Sequence, residues 1–215
     1  MSERYDCADT AERAAGLRAA LAAVNAGELV VLPTDTVYGI GADAFTPAAV
    51  MALLAAKGRS RVLPVPVLVG SARTLEGLVD EVPAAARDLV EAFWPGGLTL
   101  VFRHTASLAW DLGETRGTVA VRMPDHAVAL DLLTQTGPLA VSSANRTGLA
   151  PPTALDAAVE QLGDAVAVYL DDGPTGEALA STIVDLTADV PRLLRDGAVS
   201  VDRLRAVLPA LDVGL

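Results

Sequence analysis

Four short segments of this 215-residue chain gather side chains able to handle a polyanion. Thr34-Asp35-Thr36-Val37-Tyr38-Gly39-Ile40-Gly41 follows an apolar run, and as extended chain it sends Thr34 and Thr36 to one side and Asp35 to the other. Its threonines either satisfy their own backbone or face a ligand, while Gly39 and Gly41 admit a ligand or a neighbouring strand close to the main chain. Lys57-Gly58-Arg59 sets two cations around a glycine. They either complement a helix C-terminal dipole or clamp an anion, the ammonium meeting one phosphate oxygen and the planar guanidinium another. Ser142-Ser143-Ala144-Asn145 ends a strand with hydroxyls and an amide, which suit phosphate or hydroxyl groups and equally suit an ordinary turn. Ser181 opens a further strand, and Arg122 and Arg195 close two more; buried there, an arginine needs a carboxylate, internal or brought by a substrate.

The charge distribution sharpens this reading. The chain has a formal charge of −11 and a pI near 4.5, which removes nucleic acid and anionic membrane as default partners. Yet residues 44–75 carry Lys57, Arg59, Arg61 and Arg73 and no acidic residue, and Lys57 is the only lysine in the chain. Several familiar devices are absent: G-x-x-x-x-G-K-[ST], G-x-S-x-G and H-E-x-x-H. Gly39-Ile40-Gly41-Ala42-Asp43-Ala44 fits a loose dinucleotide fingerprint, but it begins too far past the preceding apolar run and lacks the later acid, so NAD is not expected. Cys7 alone cannot form an internal disulfide, and His104 and His126 are too few for a zinc cluster, so metal ligands cannot be named. Cations and hydroxyls without a protein nucleophile suit binding and aligning a polyanion.

These groups need a frame. Asp9 and Glu12 at capping-box spacing, with Gly27 as stop signal, predict a helix over 9–26; Thr46-Pro47 and Gly58 bracket a second over 47–57. Apolar runs predict strands at 28–33, 65–69, 98–103, 118–123, 139–141, 166–170, 181–186 and 192–194, and further helices at 83–93, 125–135, 153–162 and 200–209. Adjacent strands after 97 and after 165 favour a mixed sheet. No linker or repeat appears, so one α/β domain over 1–215 is expected, with its core at about 10–205. No apolar run spans a membrane and the first residues are too polar for a signal peptide, so the expectation is a soluble cytoplasmic protein.

Pro33-Thr34-Asp35-Thr36-Val37-Tyr38-Gly39-Ile40-Gly41-Ala42, Lys57-Gly58-Arg59, Phe93-Trp94-Pro95-Gly96, Val121-Arg122-Met123-Pro124, Ser142-Ser143-Ala144-Asn145-Arg146, Ser181-Thr182-Ile183-Val184-Asp185 and Leu194-Arg195 occur in the order of the YrdC-like threonylcarbamoyl-adenylate synthases. The chain resembles that family from about residue 10 to 205. The resemblance implies a twisted mixed α/β sheet around a deep concave basic site. It implies conversion of ATP, L-threonine and bicarbonate to threonylcarbamoyl-AMP and pyrophosphate, with magnesium, for a partner transferase that modifies tRNA beside the anticodon. The family's K-x-R and S-x-N signatures fall on Lys57, Arg59, Ser143 and Asn145. Its threonine-binding positions fall on Thr36, Arg122, Ser142 and Ser181, and its nucleotide contacts on Arg59, Thr118, Ala144, Pro152 and Arg195. Lys57 and Arg59 are expected to stabilise charge in the reaction. The chain departs from the pattern with Asp35 for Glu, Leu63 for a nucleotide-contacting Asn, and Leu68 for a threonine-contacting His. It resembles the short form of the family, which relies on separate partner proteins. Two alternatives share the fold: a domain handling carbamoyl adenylate, opposed by the single cysteine and the short chain, and an RNA-binding module, which the net charge limits to weak contact.

Overall fold

The computed structural model describes residues 2–176 and 179–214. Among these, one mixed sheet contains β1 (Glu3–Asp6), β2 (Val30–Leu32), β3 (Gly39–Asp43), β4 (Val67–Leu68), β5 (Leu98–Arg103), β6 (Thr118–Arg122), β7 (Leu139–Ser143), β8 (Val168–Asp171), β9 (Thr182–Asp185) and β10 (Arg192–Arg195). Their spatial order is β1-β8-β2-β3-β7-β4-β6-β5-β9-β10. β8 runs parallel to both β1 and β2, β4 to β6, and β5 to β9; the remaining neighbours are antiparallel. Among the described residues seven α-helices accompany the sheet: α1 (Thr10–Asn25), α2 (Pro47–Lys57), α3 (Leu75–Leu78), α4 (Ala84–Phe93), α5 (Ala127–Thr136), α6 (Leu155–Leu162) and α7 (Val201–Val207).

The period-2 alternation of the strands divides the interior into two cores, one on each face of the sheet. Val30 and Leu32 of β2, Leu139 and Val141 of β7, and Val168 and Leu170 of β8 face one cluster, closed by Ala20, Ala23 and Val24 of α1 and Val128, Leu132 and Leu133 of α5. The intervening Val31, Ala140 and Tyr169 face a larger cluster, with Ile40 and Ala42 of β3, Leu53 and Leu54 of α2, and Leu89 of α4. Sheets covered on both faces read as continuous apolar runs, which is why these strands were legible. Asp9 caps α1 by accepting from the N–H groups of Ala11 and Glu12, both at 2.9 Å. Glu12 reaches back to the Asp6 N–H at 2.9 Å rather than to Asp9, so only half of the expected box forms.

Several expectations are corrected. The glycine-containing segment after Tyr38, absent from the predicted strands, is strand β3, paired with β2 and β7. A Cβ on Gly39 would stand 2.7 Å from Val141 Cγ1, so the space is taken by a strand and not by a ligand. The same pairing disposes of the dinucleotide fingerprint, which needs its glycines at a helix N-terminus. Ser142 and Ser143 lie within β7 rather than beyond it. The polar lead-in forms edge strand β1, where Arg4 bridges Asp156 at 2.6 Å and Asp171 at 2.5 Å; an edge strand needs no apolar pattern. A short helical stretch over 72–78 also went unread.

Candidate active site: a cationic centre at the strand ends

The site assembles where chain segments enter or leave the central strands. β2 ends at Leu32 and delivers Thr34, Asp35 and Thr36. Thr34 Oγ1 donates to the Val37 carbonyl at 2.7 Å and lies 3.0 Å from Thr36 Oγ1, so the two hydroxyls share one side of the chain. At the end of β6, the Arg122 guanidinium is buried. Its Nη1 donates to Thr36 Oγ1 at 2.9 Å, its Nε to the Gly96 carbonyl at 2.9 Å, and its Nη2 to Asp35 Oδ1. The carboxylate required by a buried arginine is therefore internal. Asp35 also accepts from the Asp125 N–H at 3.0 Å. Burial lowers the Arg122 pKa and Asp35 opposes that shift. Three of the five guanidinium N–H groups are engaged by these partners, leaving two for an incoming anion.

Helix α2 ends at Gly58, whose φ of 60° takes the left-handed cap and reverses the chain between Lys57 and Arg59. The sole lysine is 3% exposed, and its Nζ donates to the carbonyls of Ser143 and, at 2.5 Å, Asn145. It does not fold back on its own helix terminus; it pins the end of β7. Burial, reinforced by Arg59, lowers its pKa to about 8. Arg59 is half-buried and makes three contacts: Nη1 to Ser142 Oγ at 2.9 Å, Nε to the Leu63 carbonyl at 3.0 Å, and Nη2 to the Pro64 carbonyl at 2.9 Å. Leu63 thus enters the site through its carbonyl, while its side chain is exposed. Arg195, at the end of β10, donates to the Ser181 carbonyl at 2.9 Å and to Ser181 Oγ at 3.0 Å. Its pKa is lowered by burial first, then by the proximity of Arg122 and Arg59.

These couplings bring Arg59, Arg122, Arg195 and Lys57 to one centre, with Asp35 as the carboxylate paired to it. Like charges held together in a partly desolvated site bind an anion far more strongly than the same groups in water. Around them stand Ser142 and the pair Thr99 and Ser181, whose hydroxyls are 2.7 Å apart. Asn145 donates from Nδ2 to the Arg146 carbonyl at 2.9 Å and the Leu149 carbonyl at 2.7 Å, while its buried Oδ1 has no partner. Ala144 and Pro152 lie together through Tyr38: the Ala144 N–H donates to the Tyr38 carbonyl at 2.8 Å, and the Tyr38 N–H to the Pro152 carbonyl at 3.0 Å.

Thr118 lies apart, at the opposite end of β6 from Arg122. Four residues of strand place them about 13 Å apart on one face. There Thr118, Ala120, Pro64, Val65 and Leu194 help to line a mainly apolar cavity of about 200 Å³. One face of β6 therefore runs from an apolar cavity to the cationic centre. One participant and one pairing escaped the sequence reading. Thr99 looked like any strand threonine, and Asp35 gave no sign of its partner 87 residues away. Leu68, in register with Arg122, joins the core beside Val128 and Leu132 and offers no polar atom.

Residues 22–197 match the Sua5–YciO–YrdC family, described as "telomere recombination". A Mycobacterium tuberculosis protein with the provisional name threonylcarbamoyl-AMP synthase is 58% identical over 97% of this chain and 96% of its own length. The Bacillus subtilis threonylcarbamoyl-AMP synthase is 37% identical over 90% of this chain and 57% of its own. The crystal structure of Pyrococcus abyssi Sua5 complexed with L-threonine superposes with a TM-score of 0.90 at 34% identity, over 99% of this chain and 62% of that one. The chain thus spans less than two thirds of the last two proteins and nearly all of the first.

Proposed function

The chain belongs to the Sua5–YciO–YrdC family, and on that footing we propose that it is a threonylcarbamoyl-AMP synthase, a nucleotidyltransferase serving tRNA threonylcarbamoyladenosine formation. The observation that carries the proposal is the convergence of Arg59 on Ser142, Lys57 on the neighbouring Ser143 carbonyl, Arg122 on Thr36 and Arg195 on Ser181, linked by a strand face to a mainly apolar cavity of about 200 Å³, in which we place the base. Threonine's amine combines with bicarbonate, losing water, to give a carbamate. A carbamate oxygen then attacks the α-phosphorus of ATP in line, and pyrophosphate leaves. Both partners are anions, so the protein's task is to offset repulsion and align them.

Arg122 offers its two remaining N–H groups to the threonine carboxylate, with Thr36, Ser142 and Ser181 around the amino acid. Arg59 and Arg195 take the phosphates, and Lys57 adds charge while holding Ser143 and Asn145 in place. Thr118 borders the base, and the nucleotide contacts that the family pattern puts at Ala144 and Pro152 would come from the main chain of the two segments joined through Tyr38. Among the described residues no carboxylate cluster could hold magnesium, whereas the unpartnered Asn145 Oδ1 is a hard oxygen donor suited to it. The ion is expected to arrive with the triphosphate, where it neutralises charge on the leaving group. Mass spectrometry of the product from ATP, threonine and ¹³C-bicarbonate tests the assignment; pyrophosphate release that ignores threonine would refute it. The product passes to a partner transferase acting on tRNA.

A further inference from the structure

The segment 61–65, which walls the base cavity, is gripped from two sides. From within, Arg59 donates to the carbonyls of Leu63 and Pro64. From outside, residues 111–114 run against it. Asp111 pairs with Arg61 through both carboxylate oxygens, at 2.8 and 3.0 Å. The Glu114 N–H donates to the Arg61 carbonyl at 2.8 Å, and the Val65 N–H to the Leu112 carbonyl at 2.9 Å. Gly113 has a φ of +103°, and a Cβ there would stand 2.7 Å from the Arg61 carbonyl oxygen. Trp110 anchors the adjoining chain, stacked on Phe45 at 5.6 Å and met edge-on by His104.

We propose that residues 111–114 are a strap that positions Arg59 and the cavity wall for the nucleotide, with Asp111 and Gly113 as positioning residues. The inference rests on the synthase reading above. Arg59 has spent two of its N–H groups on segment 61–65 and a third on Ser142 of β7, so a phosphate meets the remaining two only where segment 61–65 holds the guanidinium. A flexible segment would let the guanidinium wander and would widen the cavity, and either change weakens ATP before it touches threonine. Threonine's end of the site is built on Arg122, Thr36, Ser142 and Ser181; none of them contacts the strap, and only Ser142 meets Arg59, through a single hydroxyl at 2.9 Å.

The test compares Asp111→Ala, Arg61→Ala and their double variant with wild type, using calorimetric titration with ATP and separate KM values for ATP and threonine. Each single change is expected to weaken ATP about fivefold, the scale of an exposed ion pair, with threonine KM within twofold. Both remove the same ion pair, and Asp111→Ala also removes the bond its carboxylate accepts from the Gly113 N–H at 3.2 Å, so the double variant should bind ATP about as Asp111→Ala does. Gly113→Ala, which strains the backbone itself, should weaken ATP further. Unchanged ATP affinity, equal losses for ATP and threonine, or additive losses in the double variant would overturn the strap. Wild-type protein that neither binds ATP nor releases pyrophosphate would instead overturn the synthase reading first.

Discussion

Replacing Lys57 by methionine separates charge from shape. Methionine fills most of the same slot, and the variant loses two charge-assisted hydrogen bonds to the carbonyls of Ser143 and Asn145. Such bonds contribute about 1.5–3 kcal/mol each, about 3–6 together. Against this, holding an ammonium at a pKa of about 8 rather than 10.5 costs the native protein about 3 kcal/mol at neutral pH, which the variant recovers. The net loss is therefore about 0–3 kcal/mol, inside the margin of an ordinary domain, and the protein stays folded. Catalysis has no such compensation. Losing one preorganised charge beside the phosphates should cost about 2–4 kcal/mol of transition-state stabilisation, or about 30- to 1000-fold in kcat/KM. Urea unfolding measures the first quantity, and threonine- and bicarbonate-dependent pyrophosphate release the second. Lys57→Arg should also fail, because a planar guanidinium cannot occupy a buried slot shaped for an ammonium between two carbonyls. A Met or Arg variant with near-wild-type turnover would refute the reasoning.

Asp35→Asn leaves the buried Arg122 without its carboxylate; with Asp35 itself partly exposed, the loss should be about 2–4 kcal/mol in urea unfolding, accompanied by a higher KM for threonine. Arg195→Ala should weaken ATP about tenfold, an effect that shrinks with added salt because Arg195 presents one edge to solvent, as a salt series of ATP titrations would reveal. The pH dependence follows from Lys57. Its native pKa of about 8 lies below its usual 10.5, so the unfolded chain binds more protons between those values. Stability from this group is lowest below pH 8 and rises through that window, which the difference between wild type and Lys57→Met in unfolding experiments isolates. Bound phosphates should raise the Lys57 pKa, so ATP binding near pH 8 takes up about half a proton, detectable by calorimetry in buffers of different ionisation enthalpy and absent in Lys57→Met.

The buried strands and the helix signals of α1, α2 and α5 were readable because apolar periodicity and capping act over a few residues. β3 was not, because its identity depends on Val141 and Leu32 filling the space beside Gly39 and Gly41. Edge strand β1 was hidden for a related reason: its residues are chosen for ion pairs such as Arg4 with Asp171, and a strand with one neighbour carries no apolar pattern. In the candidate site, the residue types were legible as cations and hydroxyls, and the ordered motifs named a family. Their partners were not.

What the sequence determined by itself is local: which segments are strands or helices, where charge concentrates between 44 and 75, and that one lysine stands among arginines. Whether Lys57 serves its own helix dipole or another strand, and whether the carboxylate for Arg122 is internal, only the tertiary structure decided. Hydrogen bonds and ion pairs form between groups brought within about 3 Å. The hydrogen-bonded partners that complete this site lie up to 88 residues apart in the chain, and their meeting is set by the order and register of the sheet.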